Sequence, residues 1–157
     1  MTATWSRAVV TCAVGLLATL PAAEAQQARR LPVIGFLSAA SLPTIKARVE
    51  AFRHGLRDLG YLEQQNVVVE WRSAEGQLDR LPALATEFVR LKADIIVAAG
   101  GEPPALAAKQ ATQAIPVVMV NVGDPVGTGL VSSLGRPGGN ITGLATTAGP
   151  EFYGKQL

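Results

Sequence analysis

Five short runs of apolar residues recur along the chain, and each is separated from the next by a segment long enough to hold a helix. The runs are nearly continuous rather than alternating with polar residues, which is typical of strands that a parallel sheet buries on both faces. We therefore predict five strands, at Val33–Ser38, Val67–Arg72, Ile95–Ala99, Val117–Val122 and Ile141–Ala145.

The segments between the strands carry apolar residues at the spacing of a helix face. The first helix ends where Gly60 can take a left-handed conformation, and the second begins near Asp79, whose side chain can cap it. The predicted apolar faces comprise Ile45, Val49, Phe52, Leu56 and Leu59 in the first helix and Leu81, Leu84, Phe88 and Leu91 in the second.

Two further helices complete the pattern. Pro103 and Pro104 are tolerated in a first helical turn and open an alanine-rich helix from Ala105 to about Gln113, which can pack close to the sheet. A short fourth helix is predicted from Val126 to Leu134. The alternation of strand and helix demands right-handed crossovers, so we predict an α/β fold with a doubly wound parallel five-stranded sheet and helices on both faces.

The first 25 residues have the layout of a secretory signal peptide. A positive charge at Arg7 precedes the uncharged run Ala8–Leu20, and Ala23-Glu24-Ala25 supplies the small residues for cleavage after Ala25. The apolar run is shorter than the roughly 20 residues that a membrane span needs. A buried N-terminal helix and an uncleaved anchor are the alternatives.

Composition narrows the class of protein without naming its function. The net charge of +2 is small and the basic residues are scattered, so a nucleic-acid partner is not expected. The single cysteine, Cys12, lies in the signal segment, and the single histidine, His54, falls half a turn from the apolar face of the first helix. These residues supply neither a multi-cysteine metal site nor a nucleophile–base pair, so we predict no catalytic residue, no metal and no cofactor.

Ligands of a doubly wound sheet bind outside the carboxyl ends of its strands, near the point where the strand order reverses. The loops after the first, third and fourth predicted strands are therefore the candidate site. We predict ligand contacts from Ser38, Ala39, Ala40, Gly100, Gly101, Glu102, Pro103, Asn121 and Asp124.

Several residues of these loops admit two interpretations. Gly100 and Gly101, with the helix N-terminus behind them, form either a seat for a carboxylate or simply a tight turn. Glu102 either compensates the helix macrodipole or pairs with a ligand ammonium. Ser41 either donates its hydroxyl to a ligand or caps the first helix, and Asp124, which precedes a proline, is also typical of a turn.

Five stretches of the chain carry a resemblance to a known family, and they are specific as a set although each is weak alone. They are PVIGFLS (32–38), EAFRHGLRDLGYLEQQNVVVEWR (50–72), ALAAKQAT (105–112), IPVVMVNVGDPVGTGLVSSL (115–134) and RPGGNITGL (136–144). On these stretches the sequence resembles bacterial ABC-transporter substrate-binding proteins, in the family that includes tryptophan- and other aromatic amino-acid-binding members.

The resemblance implies one lobe of a two-lobed periplasmic-binding-protein fold of type I-like architecture. Such proteins close by a hinge on a small solute, here an amino acid or small organic acid, and deliver it to an ABC permease in the inner membrane. One departure is Glu102-Pro103-Pro104, where the family has a Thr-Pro-Ala-like turn, so the ligand class cannot be copied from any member. A small exported flavodoxin-like enzyme and a sensory ligand-binding lobe are the alternative functions.

The domain prediction has three parts. Residues 1–25 form a signal peptide, residues 26–145 form the N-terminal α/β lobe, and residues 146–157 form a crossover into a second lobe. The last segment starts another helix at Glu151 and ends before it completes an amphipathic face, so we expect the chain to be the first lobe of a longer protein. The mature lobe is expected in the periplasm, without a membrane span.

Overall fold

A computed structural model describes residues 30–146 of the chain. The predicted signal segment, with its cleavage point after Ala25, lies outside the described residues, as does the tail from residue 147 with the helix expected at Glu151. Within the described part, no helix is both long enough and apolar enough to cross a membrane.

All five strands form one parallel sheet in the order β2-β1-β3-β4-β5, so the predicted doubly wound α/β fold is confirmed. Four strands have the predicted bounds. The second strand begins and ends one residue later than predicted, and Val67 instead forms an isolated bridge with Glu63. The strands are β1 Val33–Ser38, β2 Val68–Ser73, β3 Ile95–Ala99, β4 Val117–Val122 and β5 Ile141–Ala145.

In the described part of the chain, three α-helices connect the strands: α1 Lys46–Asp58, α2 Leu81–Arg90 and α3 Glu102–Ala111, with a 3-10 turn at Leu78–Arg80 before α2. The first helix ends at Gly60 as predicted. The Tyr61 N–H donates to the Leu56 carbonyl at 2.8 Å, and the Gly60 N–H donates to the Arg57 carbonyl at 2.9 Å. These two bonds satisfy carbonyls that the end of α1 would otherwise leave open.

The sheet face beneath α2 and α3 holds a closed core. Phe88 of α2 is fully buried and lies directly over Gly35 of β1, where a Cβ would stand 2.5 Å from a carbon of the phenyl ring. Ala105 and Ala108 of α3 are also fully buried. The small alanine side chains therefore let α3 pack close to the sheet, as the sequence predicts.

The opposite sheet face is covered by α1 over only part of its width. Phe36 of β1, Phe52 of α1 and Trp71 of β2 form an aromatic cluster, with ring centroids between 4.8 and 6.0 Å apart. Farther along this face no helix of residues 30–146 covers β5: Leu144 of β5, which pairs with Val120 of β4, is 69% exposed. The two faces thus differ in how completely they are packed.

One predicted helix is wrong. Residues 126–134 form turns, because Gly127 and Gly129 interrupt any helix there and the side chain of Asp124 competes for a backbone donor. The Asp124 Oδ1 accepts the Gly127 N–H at 2.7 Å. The segment still buries Leu130 and Val131 against the core.

The predicted helix boundaries contain further errors. Asp79 lies in the 3-10 turn, and α2 begins without a side-chain cap. The Ser41 hydroxyl contacts the Thr44 hydroxyl at 2.6 Å, and α1 begins only at Lys46, so Ser41 does not cap it. Leu59 and Leu91 are 76% and 43% exposed, because each lies at a C-cap, where the chain leaves the apolar face of its helix.

Candidate functional site

A cavity of about 310 Å³ opens at the carboxyl ends of the central strands, on the α1 side of the sheet. The strand order reverses between β1 and β3, and a doubly wound sheet offers a crevice to ligands at that point. Most of the lining is apolar, with polar groups at a few positions. The lining residues are Phe36, Ser38, Ala40, Ile45, Arg48, Phe52, Val97, Ala99, Gly100, Val120 and Asn121.

The loop after β3 depends on two consecutive glycines. Gly100 and Gly101 have φ angles of 104° and 97°, which residues with a Cβ rarely adopt. A Cβ on Gly100 would lie 3.5 Å from the Cβ of Ala39, so the loops after β1 and β3 touch at this point. The glycines let the chain turn into α3 while the crevice between the two loops stays narrow.

The loop after β1 is held in place by hydroxyl groups. The buried Ser38 side chain donates to the Ala40 carbonyl at 2.7 Å, and Ser73 of β2 donates to the same carbonyl at 3.0 Å. The Ser38 hydroxyl proton is therefore used in a hydrogen bond within the loop. What Ser38 retains for a ligand is the acceptor capacity of its oxygen.

The loop after β4 begins with an irregularity in the sheet. The pairing of β4 with β5 slips between Val120 and Val122, and Asn121 at the slip has a φ angle of 65°. Asparagine adopts this left-handed conformation more readily than most residues. Asn121 is exposed and lines the cavity, where its amide offers both a donor and an acceptor.

Glu102 joins the loop after β3 to the loop after β4. Its Oε1 accepts the Gly123 N–H at 2.8 Å and the Asp124 N–H at 3.4 Å. The backbone N–H of Glu102 itself and, after it, that of Gly123 lower the pKa of the Glu102 carboxyl below its ordinary value of 4.5.

The first turn of α3 offers fewer donors to a ligand carboxylate than a helix N-terminus usually does. The first three residues of α3 are Glu102, Pro103 and Pro104, and proline has no N–H to offer. Among these three residues only Glu102 keeps a backbone N–H. Glu102 does lie in the first turn of α3, where it opposes the macrodipole, but its link to the β4 loop was not predicted.

Asp124 has the role of a turn residue. Besides its bond to the Gly127 N–H, its backbone carbonyl accepts the Thr128 hydroxyl at 2.6 Å. Of the nine predicted ligand contacts, the structure brings four together in the cavity lining: Ser38, Ala40, Gly100 and Asn121. The other five lie in the same three loops but outside that lining: Ala39, Gly101, Glu102, Pro103 and Asp124.

The sequence did not lead us to predict that α1 lines one side of the cavity. Ile45 and Phe52 were assigned to the core, and Arg48 was not singled out, although it follows Ile45 by three residues and precedes Phe52 by four. That spacing places Arg48 on the stripe of α1 that faces the sheet. Within residues 30–146, no ion pair of the Arg48 guanidinium is present. A single arginine among the apolar residues on one face of α1 was the sequence feature that could have predicted this part of the lining.

Comparison with known proteins identifies relatives of the chain. Residues 32–149 match the family described as ABC transporter substrate binding protein. The chain is also 36% identical over 112 residues to a tyrosine-binding protein of Clostridioides difficile (strain R20291). That match covers 71% of this chain and 32% of the relative.

Solved structures share the same fold. One is the ligand-free, open structure of a substrate binding protein with adhesive properties from Clostridium difficile, with a TM-score of 0.70 and 29% identity over 77% of this chain and 41% of that one. Another is an ABC domain in complex with L-Trp from Streptococcus pneumonia, with a TM-score of 0.67 and 30% identity over 73% of this chain and 38% of that one.

The chain spans about a third of the length of the curated relative that it matches, 32%, and about two fifths of the two solved chains. The five-stranded sheet is thus one lobe of a periplasmic-binding-protein-like fold. Proteins of this kind bind small ligands, are not enzymes, work with ABC transporter components and are typically extracellular or periplasmic. On the family match over residues 32–149 and the similarity to the tyrosine-binding relative, the chain belongs to the ABC transporter substrate-binding protein family.

Proposed function

We propose that this protein is the solute-binding component of an ABC importer and that it binds a small solute in the cavity at the carboxyl edge of β1, β3 and β4. The observation that carries the proposal is the lining of this cavity, which combines apolar walls with a guanidinium at Arg48 and an amide at Asn121. Ligand sites typically pair an apolar surface with a few polar groups that orient the ligand. Family membership favours this function over the flavodoxin-like enzyme and the sensory lobe.

The ligand that we propose is an amino acid or small organic acid with an apolar side chain. Phe36 and Phe52, whose ring centroids lie 5.3 Å apart, give the cavity an aromatic wall. The Arg48 guanidinium can hold a carboxylate through two parallel hydrogen bonds. A relative named for tyrosine binding and a related domain bound to L-Trp support this ligand class.

A second lobe supplies the other half of the site in this proposal. The lining of the cavity comes from one edge of one sheet and from α1. Small-molecule sites usually bury roughly 70–90% of the ligand surface, which a single edge does not provide. Hinge closure of a second lobe adds the missing contacts, and the closed state is the one that a permease recognises.

The place of action in this proposal is the periplasm, with a permease in the inner membrane as the partner. The signal layout at 1–25 supports export. Mass spectrometry of periplasmic protein should find Gln26 as the first residue. Recovery of the intact Met1 terminus from the membrane fraction would overturn the predicted cleavage after Ala25.

Calorimetry tests the binding itself. The 157-residue chain and a chimera that carries the second lobe of the tyrosine-binding relative are titrated with tyrosine, tryptophan and other apolar amino acids. Halving the −8.2 kcal/mol of a micromolar binder leaves about −4.1 kcal/mol, so the single lobe should bind at about millimolar and the chimera at about micromolar. A chimera that melts cooperatively but gives no heat with any amino acid would contradict the proposed function.

A matched pair of variants tests the role of the cavity. Arg48→Ala in the chimera should weaken the binding of an amino acid by about tenfold or more, because a hydrogen bond to a charged group contributes roughly 1.5–3 kcal/mol. Arg57→Ala removes the same charge from the last turn of α1, outside the cavity lining, and should leave the affinity unchanged. Equal effects of the two substitutions would remove Arg48 from the site.

A further inference from the structure

The polar rim beside the cavity is built from two loops that Glu102 holds together. Gly100 and Asn121 line the cavity, and Glu102 and Gly123 follow them by two residues each. The Glu102 carboxylate bridges this gap, because its Oε1 accepts the Gly123 N–H at 2.8 Å. The bridge therefore lies directly next to the cavity, at the carboxyl ends of β3 and β4.

The Gly123 and Asp124 N–H donors on this rim thus already bind an anion, which is the Glu102 carboxylate of the same chain. Backbone N–H groups at the carboxyl end of a sheet are otherwise suited to a ligand carboxylate. Here the Gly123 and Asp124 N–H groups both donate to the Glu102 carboxylate, and two prolines remove two donors from the first turn of α3. A ligand carboxylate at this position would meet a like charge, and the Gly123 and Asp124 donors would already be occupied.

We infer that Glu102 is a specificity-determining residue, which excludes a ligand carboxylate from the β3–β4 rim and selects a ligand that presents an ammonium group there. The inference rests on the proposed function, since it concerns the ligand of the same site.

Acetate serves as the probe for the occupied donors. Acetate is titrated into the full chain, its Glu102→Ala variant and its Glu102→Gln variant while the NMR amide shifts of Gly123 and Asp124 are recorded. Glu102→Ala frees the two N–H groups, so acetate should bind there at least about tenfold more tightly than to the unchanged chain. Glu102→Gln keeps an acceptor oxygen in place, so its gain should be smaller.

Asp58→Ala is the matched control, because it removes one exposed carboxylate at the C-terminal end of α1, outside the cavity lining. It should leave the Gly123 and Asp124 shifts as insensitive to acetate as in the unchanged chain. An equal response of the unchanged chain and Glu102→Ala would overturn the inference. So would a folded Glu102→Ala variant whose two amides stay unresponsive, because the freed donors would then not form an anion seat.

Ligand preference gives the second measurement. In the chimera with a second lobe, affinities for tyrosine and for 3-(4-hydroxyphenyl)propionate, which lacks the ammonium and keeps the carboxylate, are compared before and after Glu102→Ala. The ratio of the propionate affinity to the tyrosine affinity should rise at least about tenfold in the variant, because only tyrosine loses a contact to Glu102. An unchanged ratio with both ligands bound would contradict the inference alone. Absence of binding by either ligand would contradict the proposed function, whereas the acetate result would stand independently.

Discussion

The two faces of the sheet are packed to different extents. Under α2 and α3 the core is continuous, with Phe88, Leu81 and Ile96 fully buried. Under α1 the aromatic cluster covers β1 and β2, while Leu144 on β5 is largely exposed and a cavity opens beside Phe36. The first face secures the fold, and the incompletely covered face leaves the space in which we propose that a ligand binds.

This difference shows how one α/β lobe can combine a rigid core with a binding surface. The small residues are placed where packing must be tight, at Gly35 beneath Phe88 and along the alanines of α3. The large aromatic residues on the α1 side are only partly enclosed, so they can contact both the core and a solute. Substitutions on the two faces should therefore have different consequences.

The largest effect is expected from truncating the aromatic residue at the centre of the closed face. Phe88→Ala should lower the free energy of unfolding by about 3–5 kcal/mol, because it leaves a cavity among well-packed neighbours. Phe52→Ala on the open face should cost at least about 1 kcal/mol less, since Phe52 is only partly buried. Urea melts of both variants decide this, and equal losses would show that the two faces are equally packed.

The same substitution at two glycines should act in opposite directions. Gly35→Ala should destabilise the lobe by about 1–3 kcal/mol, because its Cβ would press on the Phe88 ring. Gly55→Ala lies inside α1, where a Cβ meets nothing within 4 Å, and should stabilise the lobe by about 0.5–1 kcal/mol. Thermal unfolding of the pair is the measurement, and a stable Gly35→Ala variant would contradict the close approach of α2.

The free energy of unfolding should depend on pH through Glu102, which lies at the carboxyl edge of the sheet. Its pKa in the folded lobe lies below the ordinary 4.5, so its stabilising contribution is complete above that pH and is lost as the pH falls through the lower folded-state value. The unchanged chain should therefore be more stable than Glu102→Gln at pH 7, and the difference should shrink towards zero in acid. Chemical denaturation at a series of pH values tests this, and a difference that grows in acid would contradict the sign.

The smallest effect is expected on the solvent side of α1. The His54 Nδ1 lies 2.9 Å from the Asp58 carboxylate, but the two side chains are 68% and 64% exposed. His54→Ala should change the free energy of unfolding by less than about 0.5 kcal/mol. A loss in urea melts that approaches that of Phe52→Ala would mean that this side of α1 is packed against something.

The parallel sheet was predictable from the sequence because each strand is a short apolar run bounded by turn residues. Ile95–Ala99 and Ile141–Ala145 have the predicted bounds. The helix at 126–134 was predicted wrongly because the competition of the Asp124 side chain for the Gly127 N–H is not visible in an apolar pattern. Only Leu130 and Val131 of the segment become buried, while Val126 and Leu134 are exposed. The spacing of apolar residues indicates which side chains are buried, and a segment without a helix can bury them too.

The candidate site was only partly predictable. The strand ends located the three loops, since carboxyl ends of parallel strands meet at one edge, and Ser38, Gly100 and Asn121 do line the cavity. The position of Arg48 depends on how α1 crosses the sheet, and the bond of Glu102 to Gly123 depends on the separation of two loops 21 residues apart in sequence. Both are tertiary distances, and no local pattern determines them.

The strand order also determines how the lobe can assemble. Each strand pairs with a neighbour that precedes it in the chain: β2 and β3 with β1, β4 with β3, and β5 with β4. A chain that emerges N-terminus first, from a ribosome or a translocation channel, can therefore add every strand to an edge that already exists. No strand has to wait for a later one, so the growing sheet never depends on a sequence that is still to come.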